Sequence, residues 1–181
     1  MVRPPASPNL VMIGFMGAGK TMIGKLVAQA LGREFLDTDE LVTQAAELPI
    51  TEIFRREGED GFRRREQNAI DEAVASPARV IAVGGGAVLS SENRTVLKQA
   101  GYLVYLRATP ETLAIRLADV TDRPLINAVD RVGRIRDLLV ARGPVYETAG
   151  DVAVDTDTIT PQQAAEQIVH WYRDQVDQGR L

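Results

Sequence analysis

The run Gly14-Phe15-Met16-Gly17-Ala18-Gly19-Lys20-Thr21 combines three glycines with one cation and one hydroxyl at a spacing that has a chemical use. Glycines let a loop curl until successive backbone N–H groups point at one phosphate, and the helix that follows adds the positive end of its dipole. Lys20 would then reach the β- and γ-phosphates of a nucleoside triphosphate, and the Thr21 hydroxyl suits Mg²⁺. The chemistry implied is phosphoryl transfer, in which positioning and charge stabilisation do most of the work. A merely flexible turn would need no lysine and no hydroxyl at these positions.

Further along the chain are groups that could serve an acceptor. Asp37-Thr38-Asp39 ends a short apolar segment. Asp39 could take a proton from an attacking hydroxyl, with Asp37 holding the magnesium ion through water. Equally, Asp39 could simply cap a helix starting at Glu40. Arg63 shares a helical stripe with Phe62, Glu66, Ala69, Ile70 and Ala73, so it faces the apolar side and needs an anion there. That anion is either Glu66 or a bound carboxylate. Arg64 and Arg65 fall on the opposite face, with Asn68, Asp71 and Glu72, and read as solvated surface. Arg142 lies on a stripe with Ile135, Leu138, Leu139 and Tyr146. It either points at a ligand or closes a last helical turn before Gly143-Pro144. Arg123, in a polar stretch broken by Pro124, is a lid arginine or an ordinary loop residue. Gly84-Gly85-Gly86 would let a substrate approach bare backbone.

The elements that must carry these groups alternate strand and helix. Leu10-Val-Met-Ile13 is a continuous apolar run, as expected for a strand covered on both faces. Segments 34–37, 80–83, 102–107 and 152–155 read as further strands, each followed by helical periodicity, which predicts an α/β fold with a mainly parallel sheet. Gly32 should stop the first helix, and Thr109-Pro110 and Thr160-Pro161-Gln162-Gln163 should start later ones. Residues 40–75 read as several short helices, and 118–130 lack a clear period.

At 181 residues, with 45% hydrophobic and 25% charged residues, the chain suits one domain. No cysteine is present, which excludes a thiol nucleophile or a disulfide framework. With Lys+Arg 21 against Asp+Glu 25, a nucleic-acid surface is not expected. No run of ~18 apolar residues predicts a membrane span, and a cytoplasmic setting is the default expectation.

Together the loop Gly14 to Thr21, Asp37-Thr38-Asp39, Gly58-Glu59-Asp60-Gly61-Phe62-Arg63, Gly84-Gly85-Gly86-Ala87, Asp122-Arg123-Pro124-Leu125 and Arg142-Gly143-Pro144-Val145-Tyr146 resemble the shikimate kinase family, in the nucleoside-monophosphate-kinase-like branch of P-loop proteins. The resemblance covers essentially the whole chain. It implies a three-layer α/β/α P-loop kinase with a five-stranded parallel sheet, a helical substrate-binding insertion at about 40–75 and a mobile lid at about 118–130, all in one domain over 1–181. The implied activity moves the ATP γ-phosphate to the 3-hydroxyl of shikimate, giving shikimate 3-phosphate and ADP on the route to chorismate and the aromatic amino acids. ATP is the implied co-substrate, with one Mg²⁺ per subunit held at Thr21 and Asp37, and the implied form is a cytoplasmic monomer.

By the same resemblance, Gly17, Ala18, Gly19, Lys20, Thr21 and Met22 bind nucleotide, Arg116 stacks on adenine, and Arg123 closes on the phosphates. Lys20, Asp39 and Arg123 carry the chemistry. Arg63 and Arg142 hold the shikimate carboxylate, Asp39 contacts the reacting and neighbouring hydroxyls, and Glu66 and the backbone of Gly84, Gly85 and Gly86 also bind the substrate. Ile50, Phe54 and Phe62 wall the pocket. Ile159, in the expected adenine loop, stands where some relatives carry a basic residue. The competing readings are another small P-loop kinase, since the phosphate loop is common to many, and a nucleotide-dependent binding module without an acceptor site.

Overall fold

A strand apolar on both faces must be covered on both sides, and β1 (Asn9–Ile13) is completely buried. The computed structural model describes residues 7–118 and 130–177. Around β1 lie β2 (Phe35–Asp37), β3 (Val80–Ala82), β4 (Gly101–Arg107) and β5 (Val152–Asp155), in the order β2-β3-β1-β4-β5. Every pairing is parallel, with Leu10 opposite Val80 on one side and Tyr102 on the other. The five expected strands are therefore present, their ends differing from expectation by one residue at most.

The strand order explains where a ligand can bind. The chain leaves β1 for β2 on one side, but it leaves β3 for β4 on the other. The loops after these adjacent strands diverge, which opens a crevice at their carboxyl ends. Helices α1 (Lys20–Leu31) and α7 (Pro161–Asp177) pack together on one face of the sheet. On the other lie α3 (Ile50–Val74), α4 (Ser91–Ala100) and α6 (Arg131–Ala149), with α5 (Pro110–Arg116) packed on α6. The start and stop residues act as expected. Gly32 ends α1 with φ 64°, Thr109 caps α5 ahead of Pro110, and Thr160 exchanges hydrogen bonds with Gln163 at 2.9 and 3.2 Å.

The helical insertion holds α2 (Thr38–Ala46) and α3, which is itself two helices meeting at a kink, so the segment contains several helices as expected. Helix α3 is broken at Gly58, where φ is 70° and ψ is −172°. Arg65 is not plain surface, because it grips Glu57 across that break at 2.8 and 2.9 Å. Of the two alternatives left for Arg142, the last-turn one fails, because α6 does not end at Gly143-Pro144 but continues to Ala149 with Pro144 inside it. Tyr146 and Ala149 in its last turns are buried, and that packing outweighs the proline penalty of roughly 3 kcal/mol. Arg142 is therefore an interior helical residue. Residues 119–129, which include Arg123 and most of the expected lid, lie outside the described residues. Among the described residues, no helix is long and apolar enough to cross a membrane.

Gly101 marks a close approach in the sheet. A Cβ there would lie 2.1 Å from Asn9 O and 2.6 Å from Asn9 N, both backbone atoms that cannot step aside without disturbing β1. Gly101→Ala is expected to lose at least about 2 kcal/mol by overpacking, read from the midpoint of denaturant unfolding. An unchanged midpoint would contradict the close approach.

Candidate active site

The phosphate loop follows directly from β1 and runs into α1. Gly14, Gly17 and Gly19 have φ of 138°, 79° and 97°, values that side chains rarely tolerate. Gly17 has no space to spare, since a Cβ there would lie 3.0–3.3 Å from the Leu117 side chain. Lys20 Nζ donates to Gly14 O and Phe15 O, each at 3.0 Å, which holds the ammonium across the mouth of the loop. Thr21, the next residue, donates its hydroxyl to Asp37 Oδ2 at 2.7 Å.

That contact links the loop to the end of β2, where the capping alternative for Asp39 falls away. Helix α2 starts at Thr38, and its cap is Asp37, whose Oδ1 accepts from Asp39 N–H at 3.0 Å. Asp39 is thus a first-turn residue of α2, and its side chain lines the cavity. Thr38, wholly buried, accepts from Gly84 N–H at 3.2 Å and ties α2 to the glycine step after β3.

The glycine step makes room for neighbouring side chains as much as for a ligand. A Cβ on Gly84 would come within 2.7 Å of Glu66 Oε1 and 2.9 Å of Asp39 Oδ1. A Cβ on Gly86 would meet the Arg63 guanidinium at 2.8 and 2.9 Å. Gly85 O accepts from the buried Tyr146 hydroxyl at 2.5 Å. Burial pushes Tyr146 up to about 12, so the hydroxyl keeps its proton and remains a donor at working pH.

Both anions considered for Arg63 bear on the geometry. Its guanidinium donates to Glu66 Oε2 at 2.7 Å and to Glu59 Oε1 at 3.2 Å, yet the side chain is still 33% exposed and lines the cavity. Pairing along the helix and binding a ligand are therefore compatible. Glu66 is 1% exposed, and its Oε1 has no hydrogen-bond partner among the described residues. Burial raises its pKa, and the Arg63 charge only partly offsets the rise. A buried carboxyl oxygen without a partner is costly unless a ligand or water meets it. Arg142 approaches from α6, 6.0 Å from the Phe15 ring. Phe54 and Phe62 stack at 4.6 Å with Ile50 packed on their cluster, and all three line the cavity.

Apart from Gly14, Phe15, Thr38 and Tyr146, these groups line one cavity of about 1260 Å³. A single small-molecule pocket usually holds ~300–1,000 Å³, so the space suits two reactants side by side. Gly17 to Met22 and Arg116 line one end, while Arg63, Glu66 and Gly84 to Gly86 line another part. Arg116 donates to Thr156 O at 2.6 Å and to its hydroxyl at 3.0 Å, which pins it beside Gly17. The cavity also contains residues to which the sequence reading gave no role, among them Arg134, Leu138 and Thr156. Arg134 and Leu138 were findable, since they precede Arg142 by eight and four residues on one helical stripe. Thr156 carries no such signal, because only β5 pairing brings it to Arg116.

Oxygen donors at Thr21 and Asp37 fit Mg²⁺, which keeps several waters and takes one or two protein oxygens together with substrate phosphates. Among the described residues, no cluster of three or more His, Cys, Asp or Glu could hold an ion. An ion here would therefore depend on the nucleotide for much of its coordination.

The profile of the shikimate kinase family matches residues 16–173. A shikimate kinase of Symbiobacterium thermophilum is 43% identical over 173 residues, covering 94% of this chain and 99% of that protein. One from Thermodesulfovibrio yellowstonii is 44% identical over 164 residues, covering 91% and 94%. Among solved structures, the Acinetobacter baumannii shikimate kinase in complex with shikimate superposes with a TM-score of 0.89 at 37% identity, covering 93% of this chain and 94% of that one.

Proposed function

The chain belongs to the shikimate kinase family, and from that premise we propose how its own residues transfer the ATP γ-phosphate to the 3-hydroxyl of shikimate. The products are shikimate 3-phosphate and ADP, in the synthesis of chorismate and the aromatic amino acids. The observation that carries the assignment of roles is the shared cavity. A phosphate loop, a carboxylate in the first turn of α2 and two guanidiniums open into the same space.

In this reading the amides of Gly17 to Met22 and the Lys20 ammonium hold the donor phosphates and stabilise the charge that develops on them. Thr21 and Asp37 would hold Mg²⁺, which when bound offsets phosphate charge. Asp39 accepts the proton from the attacking hydroxyl and fixes its direction. Arg63 and Arg142 grip the acceptor carboxylate, with Glu66 holding Arg63 in place and the Gly84 to Gly86 backbone at its side. Phe54, Phe62 and Ile50 support the ring. Arg116 backs the adenine, and Arg123, in the lid, completes the phosphate site. The reading includes a single domain over 1–181, a monomer and a cytoplasmic setting.

ADP release with a panel of hydroxy acids, sugar acids and nucleotides tests the acceptor. Shikimate at saturating level must exceed the background without acceptor, and a rate equal to that background sinks the assignment. Arg63→Ala should weaken shikimate binding by about 1.5–3 kcal/mol, the range for a charge-assisted hydrogen bond, and leave the ATP constant nearly unchanged. An effect confined to ATP would contradict the role given to Arg63.

A further inference from the structure

Arg134 has no part in the roles above, yet it shares a stripe of α6 with Leu138 and Arg142, and all three line the cavity. Two anchors fix how that stripe runs. At its start, Arg131 Nη1 donates to the carbonyls of Leu117 and Ala118, and the Leu117 side chain lies against Gly17. Near its end, the Tyr146 hydroxyl donates to Gly85 O. Helix α6 therefore crosses the crevice from the phosphate loop to the glycine step. Eight residues cover ~12 Å of helix axis, so Arg134 stands about that far from Arg142 in the direction of the loop. Among the described residues, the other cavity-lining cations at that end are Lys20 and Arg116.

Resting on the reading of the cavity as a kinase site, we propose that Arg134 binds the polyphosphate of the nucleotide, as a phosphate contact supplied by α6. A guanidinium matches phosphate oxygens in a bidentate manner, and α6 is held at both ends, so the arginine is carried by a fixed element. The protein as a whole is acidic, with a net charge of −4, so the attraction of a polyanion to this end depends on local cations such as this one. The same placement separates its task from that of Arg142. One arginine serves the donor, the other the acceptor.

Calorimetric titration of Arg134→Ala, Arg134→Lys and a control Arg173→Ala with ADP, adenosine and shikimate tests the proposal. Arg173 is exposed and ~18 Å along α7 from the cavity-lining Pro161, so its loss changes net charge without touching the site. Arg134→Ala should weaken ADP roughly five- to twentyfold, the lower range for a charge-assisted contact at an exposed side chain. Adenosine and shikimate affinities should match the control, the KM for ATP should rise with the ADP constant, and lysine should restore part of the loss. An ADP affinity equal to that of the control overturns the proposal, and so does an equal loss for adenosine or shikimate. If the unaltered enzyme fails to phosphorylate shikimate, the acceptor reading fails instead. The ADP titration reports on Arg134 in either case.

Discussion

Asp39→Asn is expected to lower turnover by about 10²–10⁴, the range for removing a general base, with the fold retained. Asparagine keeps the size of the side chain and can hold a hydroxyl, but it cannot take the proton. The structure separates this effect from stability. Capping of α2 falls to Asp37, so Asp39 contributes to the helix mainly through its negative charge in the first turn. That is ~0.3–1 kcal/mol for a carboxylate near a helix N-terminus. The measurement is kcat beside the thermal midpoint, with shikimate and ATP both saturating. Unchanged turnover removes Asp39 from the chemistry, and a collapse of the midpoint would mean that its role is structural.

The second large effect is expected for Lys20→Ala, with kcat falling by about 10²–10³, as for the loss of one preorganised group that stabilises developing charge. Lys20 spans the loop by donating to Gly14 O and Phe15 O, but the loop's curvature does not depend on it. Three glycines with positive φ and the start of α1 at Lys20 set that shape. Circular dichroism and the unfolding midpoint should therefore stay close to those of the unaltered protein. The two substitutions also differ in their effect on binding. Lys20→Ala should weaken ADP as well as slow turnover, whereas Asp39→Asn should spare ADP affinity. If both changed ADP affinity alike, the division between donor and acceptor ends of the cavity would be wrong.

The sheet and the phosphate loop were legible because their signals are local. Leu10 to Ile13 is apolar at every position, and the loop's glycines, lysine and hydroxyl are contiguous. Arg63 and Arg142 were legible as inward-facing because helical periodicity carries orientation. Local signals misled at Gly143-Pro144, where a strong helix stop is overridden by the burial of Tyr146 and its bond to Gly85. The pairing of Glu57 with Arg65 was hidden for a different reason. A spacing of eight looks unpaired on a straight helix, and only the break at Gly58 sets the geometry in which the two meet. The cap of α2 is Asp37 and not Asp39, the candidate offered by the sequence, because an aspartate two residues earlier carries the same signal. The contact of Arg116 with Thr156 depends on strand pairing across 40 residues of chain, which no local pattern reports.

Gly84 sits where an oxygen of Asp39 and one of Glu66, borne on separate helices, flank the position of its missing Cβ. Any larger residue would push one carboxyl group aside. The position is therefore closed to sequence drift for as long as both acids keep their places. An alanine there would force one of these side-chain ends to shift, so the present placement of both acids rests on a single absent methyl group.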